Sequence, residues 1–442
     1  MANRRNLLIA MFQGGGNIPQ LLPIVARLVA LGHQVRVLVG PGVRHSRLPV
    51  SGQLLKALQA TGARVLRLRE PDVHPLDATA HCHGAICGWT PNAFRSVERE
   101  ACVQCWLPHW ANEVAKELRH DPADALVADY VLVGALVAAE AAGIPTVALF
   151  HTLSPRPVAG RPPYGPGWEP AVDFAGCLRD AAGTFIVNHL YANNALPPLN
   201  QARINLGLPP LRGYFSQYDR AARAVMLTSP HFDFPTRRMP ANVRLVGTPL
   251  DNEAPTFWRP PWPTSERLPP LLVSLSTLDQ GQMPLMERIL EALTGLPVNA
   301  VVTLGPTLAV SQFNAPSNVV LEQFISHAAV LPHVDAMVTQ CGLGSVMKAL
   351  AHSVPLVCIP LVGDQPDNAA RVIARGAGVR VLADAPPARI RVAIMRVVTE
   401  PTFRQAAHAL AIRMAGENAV QAAVNEIILV ADNRDAFQMT RH

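Results

Sequence analysis

Gly342 and Gly344 sit in a turn, Gln340-Cys341-Gly342-Leu343-Gly344, between a short apolar run at 336–338 and a helix expected from about Ser345. Small residues there leave backbone N–H groups open at the positive end of a helix dipole, which suits a phosphate. A second polar turn, at 363–368, carries Asp364 and Gln365 and opens the next helix, after a buried strand at 354–360. Two titratable side chains mark strand ends in the N-terminal half. Asp129 stands near the end of a strand at 125–131, and His151 follows one at 146–150. Asp129 could take a proton, since a partly buried carboxylate can have a raised pKa, whereas a lone histidine at a strand end is more often structural. The competing readings are an acid satisfied by backbone donors and a structural histidine. A third group, His81-Cys82-His83, Cys87, Cys102, Cys105 and His109, has ligand types that suit zinc. Against it, 95–118 reads as an amphipathic helix kinked at Pro108, so these are ordinary loop and helix residues. No metal is expected.

These residues need a scaffold of strands alternating with helices of ten or so residues, which implies parallel sheets with ligands at the carboxyl ends of the strands. The chain begins this way: a strand at 6–12, a glycine-rich turn, a helix at 18–31, and a strand at 34–39. The pattern Gly14-x-Gly16-x-x-Pro19 lacks a third glycine, and the second strand ends in Val39-Gly40 without an acid, so a dinucleotide reading fails. Asn17 is placed to cap the first helix; its amide has no basic nitrogen and cannot be a general base. Ser274, Ser276 and Thr277 put hydroxyls at the end of a strand at 271–276, as caps or as ligand contacts. The proline- and glycine-rich 154–168 segment reads as a pocket-lining loop.

With 442 residues the chain is expected to form two domains. Seven prolines within 248–270 mark a linker between them. The net charge is +6, without a Lys/Arg run or basic-aromatic weave, which excludes nucleic acid as a partner. The apolar run near the N-terminus is too short for a signal peptide. The most apolar stretch, 125–150, is broken by Asp129, Glu140 and Pro145, so no membrane span is expected and the location is cytoplasmic.

The stretch 323–382 resembles the donor-binding signature of family-1 nucleotide-sugar-dependent glycosyltransferases, of the bacterial macrolide- and rhamnosyl-transferase type. The resemblance extends over nearly the whole chain. It implies an α/β GT-B fold, two Rossmann-like parallel-sheet domains facing across a cleft. Residues 1–247 would bind acceptor, 248–270 would link, and 271–431 would bind donor, with the last helix crossing back and 432–442 as a tail. It implies that Phe324 stacks on the donor base, that Gly342, Gly344 and Ser345 bind the diphosphate, and that Asp364 and Gln365 touch sugar hydroxyls. Ser276 and Thr277 resemble a second phosphate-contact turn. The family's catalytic His position falls on Asn17, counted back from Gly32-His33, and Asp129 matches the Asp that orients that His. His151, in a His-Thr-Leu turn, is a second candidate base. The sequence also departs from the family at His327 (following Ser326, where Pro-Gln is usual), at Gln340 (for a diphosphate-binding His) and at Lys348 (for a ribose-binding Glu). A lysine cannot accept from a hydroxyl.

The expected activity is inverting, metal-independent transfer of a sugar from a nucleotide diphosphate, UDP or dTDP type, to a small hydrophobic secondary-metabolite or lipid acceptor. The nucleotide sugar is a co-substrate and no cofactor is expected; the protein would be a monomer or homodimer. The alternative is a glycosyltransferase-like protein that has left nucleotide-sugar chemistry, motivated by Asn17, His327, Gln340 and Lys348 together.

Overall fold

The computed structural model describes residues 4–13, 17–42, 50–69, 90–236, 238–250, 258–262, 268–276 and 280–434. Two parallel sheets form the frame. The first contains β1 (Asn6–Gln13), β2 (Gln34–Gly42), β3 (Arg64–Arg67), β4 (Ala125–Asp129), β5 (Thr146–Phe150), β6 (Arg223–Met226) and β7 (Val243–Leu245). The second contains β8 (Pro270–Ser274), β9 (Asn299–Thr303), β10 (Val319–Glu322), β11 (Ala336–Thr339), β12 (Leu356–Cys358) and β13 (Gly378–Arg380). Their orders are β3-β2-β1-β4-β5-β6-β7 and β10-β9-β8-β11-β12-β13. Each order reverses once, at β1/β4 and at β8/β11, and a crevice opens at such a point.

Helices cover both faces of each sheet, so the central strands are apolar without alternation. All five residues of β4 and of β5 are buried. The polar exceptions stand where the strands end. Asp129 closes β4 and pairs in register with Leu149 of β5, two residues before His151. Thr339 of β11 pairs with Ser274 of β8, which brings the 340–345 turn beside Ser276.

The last helix, Ala419–Asp432, returns to the first sheet. Its buried Val424, Ile427 and Val430 join the core of Leu7, Ile9, Val127 and Val147. Each such side chain contributes about 1.5–3 kcal/mol on burial. Arg223 adds an ion pair to Glu426 at 2.7 Å.

Several expectations need correction. The helix expected over 95–118 is interrupted: Arg95–Val103 and Leu107–His120 are α-helical, and Gln104–Trp106 is a 3₁₀ turn between them. The break precedes Pro108, which sits within the first turn of the second helix, where its missing N–H costs nothing. Asn17 lies within the first helix, which runs Asn17–Ala30, rather than just before it. The donor-side helix starts earlier than Ser345, at Leu343. A strand at Gly378–Arg380 was not expected; three residues are too few to show a period. Of the proposed zinc ligands, His81, Cys82, His83 and Cys87 lie outside the described residues. Cys102 is buried in its helix, and His109 Nε2 is 2.8 Å from the Arg69 carbonyl. No helix among the described residues is long and apolar enough to cross a membrane.

The 151–168 loop is clasped by the second half. Asp367 accepts from the Gly165 N–H at 2.6 Å and the Gly167 N–H at 2.8 Å. Arg380 donates to the Gly167 carbonyl at 2.9 Å. Asp233 receives Arg161 at 2.7 Å and Arg371 at 2.8 Å. Gly167 sits at φ +65°, and an added Cβ there would lie 2.4 Å from the Pro366 carbonyl oxygen. Gly167→Ala should therefore destabilise the fold by about 2–4 kcal/mol, readable in urea unfolding.

Candidate active site

A cavity of about 430 Å³ opens between the two sheets and draws its lining from both. That volume lies in the range of small-molecule sites. Its first wall carries His151 from the end of β5 and Gln20 from the first helix. Its second carries the ends of β8, β11 and β12.

On the first wall, His151 Nδ1 lies 3.4 Å from Asp129 Oδ2. The other oxygen of Asp129 accepts from the Val131 N–H at 3.1 Å, which fixes the carboxylate. Gln20 donates to the His151 carbonyl at 3.3 Å, and the Tyr130 ring stands 5.3 Å from the imidazole. A carboxylate at Nδ1 favours the tautomer with the proton on that nitrogen, leaving Nε2 as the basic one. The candidate acid and base therefore stand together, at the ends of neighbouring strands.

On the second wall, Gly342 caps the Leu343–Ala351 helix. The first bond of that helix is Val346 N–H to the Gly342 carbonyl at 3.1 Å, so Leu343, Gly344 and Ser345 form the turn whose N–H groups precede it. The turn is tight. Cys341, buried just before it, has φ 71°, a conformation costing of order 1–3 kcal/mol in a non-glycine residue, and Asn368 holds its carbonyl at 2.9 Å.

Asp364 lines the cavity and accepts from the Thr152 hydroxyl and, at 2.8 Å, from Asn368. Burial raises its pKa against those donors. Gln365 accepts from the Leu361 N–H at 2.8 Å and the Val362 N–H at 3.0 Å, and donates to Gln280 at 3.0 Å. Its amide thus closes the 361–365 turn as well as lining the cavity. Phe324 is 76% exposed at the lip.

Two of the residues that depart from the family, His327 and Gln340, contact Ser274. His327 Nε2 is 2.9 Å from the Ser274 hydroxyl. Burial, helped by Lys348, lowers the His327 pKa to about 4, so it is neutral at pH 7. Gln340 is satisfied with its nitrogen 3.2 Å from the Ser274 carbonyl and its oxygen 3.2 Å from the Ser276 N–H, bridging β11 to β8. Lys348 lines the cavity from the Leu343–Ala351 helix. Asn17 opens its helix, and Thr277 lies outside the described residues.

Over residues 287–430 the chain matches a family model described as the erythromycin biosynthesis protein CIII-like C-terminal domain. It is 31% identical over 436 residues to 4'-demethylrebeccamycin synthase of Lentzea aerocolonigenes, spanning 95% of this chain and 98% of that one. The chain belongs to the family-1 glycosyltransferases of the GT-B fold. The glycotransferase of kitacinnamycin superposes with a TM-score of 0.71 at 19% identity, covering 97% of this chain and 100% of that one. Glycosyltransferase VinC, solved in complex with dTDP, superposes with a TM-score of 0.64 at 17% identity over 97% and 99%. These similarities support the transferase reading over a cleft that has left nucleotide-sugar chemistry.

Among the cavity residues of this glycosyltransferase that sequence reasoning passed over is Glu100 on the Arg95–Val103 helix. Tyr164 donates to it at 2.9 Å and Tyr191 at 3.0 Å. Burial lifts its pKa from 4.5 to about 7, against those hydroxyls. A raised acid pKa means that the folded state holds the proton more tightly than the unfolded chain. The resulting stability is full below about pH 4.5 and is lost as pH rises through about 7. Glu100→Gln should therefore gain on the wild type, by on the order of 2 kcal/mol, between pH 4.5 and 7.5. Denaturant unfolding of both proteins at the two pH values checks this; a constant difference would contradict it.

Proposed function

We propose that the enzyme transfers a sugar, with inversion and without a metal, from a dTDP- or UDP-sugar to a small, largely apolar natural-product acceptor. The observation that carries this reading is a shared cavity, which sets the His151–Asp129 pair opposite the helix N-terminus at Gly342. Residues 1–247 form the acceptor half and 271–431 the donor half, joined by 248–270. The acceptor class is supported by the relatives of the chain, among them 4'-demethylrebeccamycin synthase.

In this reading the diphosphate lies on the first-turn N–H groups of the Leu343–Ala351 helix, beside Ser276. Developing negative charge on the leaving diphosphate is met by that helix end, which is in place before the reaction. Asp364 and Gln365 face the sugar hydroxyls, Asp364 as the acceptor of their hydrogen bonds. His151 Nε2 takes the acceptor's proton, Asp129 steadies the imidazolium that forms, and Asn17 orients the acceptor. With the family's usual His position occupied by Asn17, the base has moved to the end of β5. Lys348 and neutral His327 flank the nucleotide, and Lys348 adds a positive charge where the family carries an acid.

Phe324 stacks on the base, so Phe324→Ala should weaken nucleotide binding about tenfold, at roughly 1–3 kcal/mol per stacked base. Titration calorimetry with dTDP and UDP measures it.

The test of the function is thermal unfolding with millimolar UDP, dTDP or GDP. A ligand at about a hundred times its Kd adds roughly 2.7 kcal/mol. A shift with one of them supports the transferase and identifies its donor base. Unchanged melting with all three would reject a nucleotide-sugar donor.

A further inference from the structure

The acceptor end of the cavity holds a half-buried carboxyl group with no counter-cation. Glu100 lines it, and both carboxylate oxygens are occupied by tyrosine hydroxyls, Tyr164 on Oε2 and Tyr191 on Oε1. Among the described residues no arginine or lysine forms an ion pair with it. A second carboxylate, Asp364, faces the same space and raises the Glu100 pKa further. The one lysine in the lining, Lys348, belongs to the donor half, where its charge acts on His327. The rings of Tyr130 and Tyr164 line the space beside Glu100, each less than a tenth exposed.

Holding tyrosines in place does not require a charge. An amide, whose oxygen accepts from one hydroxyl and whose N–H₂ donates to the other, would do so without the cost of burying a carboxylate, which is large unless a cation accompanies it. A carboxylate among aromatic rings in a cavity is the arrangement that receives an ammonium group, through a charge-assisted hydrogen bond and ring-face attraction. We propose that Glu100 is a specificity-determining residue that binds a protonated amine on the acceptor. The ammonium would settle between Glu100 and the rings of Tyr130 and Tyr164, and so fix which hydroxyl is presented to His151. This rests on the reading of the cavity's first wall as the acceptor side.

The test uses the full chain and two probes of equal shape, phenethylamine, a cation at neutral pH, and phenethyl alcohol, which is neutral. Titration of each into wild type and Glu100→Gln is run beside a titration of dTDP and of UDP. The amine should bind wild type at least about tenfold more tightly than the alcohol, the value expected of one charge-assisted hydrogen bond. Glu100→Gln should bring the amine to the level of the alcohol and leave nucleotide affinity unchanged. Equal binding of the two probes to wild type, or no binding of the amine at millimolar concentration, would overturn the proposal even if the variant does not fold. Loss of nucleotide binding by the wild type would instead strike the transferase reading itself.

Discussion

His151→Ala should lower turnover about a thousandfold, within the hundred- to ten-thousandfold range of a general base, and leave nucleotide binding intact. The side chain earns this weight from its place. It follows β5 directly, Gln20 holds its backbone carbonyl at 3.3 Å, and Asp129 stands 3.4 Å from Nδ1. Asp129 is less able to take the acceptor's proton itself, because one of its oxygens faces His151 and the other accepts from the Val131 N–H. Asp129→Asn should therefore cost less than the His151 change, since it removes the orienting charge and keeps the base. Initial rates of both variants at saturating donor make the comparison. If Asp129→Asn were silent in activity and His151→Ala kept more than about a tenth of the wild-type rate, the base would lie elsewhere.

The second large effect is on stability. Asp367→Ala should destabilise the protein by about 3 kcal/mol or more, because it removes both acceptors of the Gly165 and Gly167 N–H groups and leaves them buried and unpaired. Asp367→Asn keeps one oxygen but turns an N–H₂ group toward a donor, so its loss should be intermediate. Burial raises the Asp367 pKa from 3.8 to about 6, despite Arg371 and the two N–H groups. The stability linked to this proton is complete below about pH 3.8 and fades as pH rises through about 6. Urea unfolding at pH 7 measures the two substitutions; equal midpoints for wild type and Asp367→Ala would mean that the clasp adds nothing.

How much of this was open to sequence reasoning follows from which contacts are local. The alternation of strand and helix and the glycine turn at Gly342 are written in periods and punctuation a few residues long, whereas the return of the last helix was implied only by the family resemblance. His151 and Asp129 could each be singled out as residues at strand ends. That they meet depends on β4 lying beside β5 in register, with Asp129 opposite Leu149. Glu100 was out of reach, because nothing in an amphipathic helix shows which acid will point at tyrosines 64 and 91 residues further on. Asp367 looked like one more polar residue opening a helix, and only the approach of the 151–168 loop gives it two backbone donors. Gln340 stands where the family carries a diphosphate-binding His; that its amide bridges Ser274 and Ser276 is something a pattern of types cannot reveal.

The central claim is that the diphosphate of a nucleotide donor rests on the helix N-terminus at Gly342, across the cavity from His151. A crystal structure with dTDP or UDP bound tests it most directly. The account predicts phosphate oxygens within hydrogen-bonding distance of the Gly344 and Ser345 N–H groups, the base against Phe324, and the terminal phosphate directed toward Asp364. A nucleotide bound with its phosphates away from that turn, or at the carboxyl end of β1 in the first sheet, would contradict it.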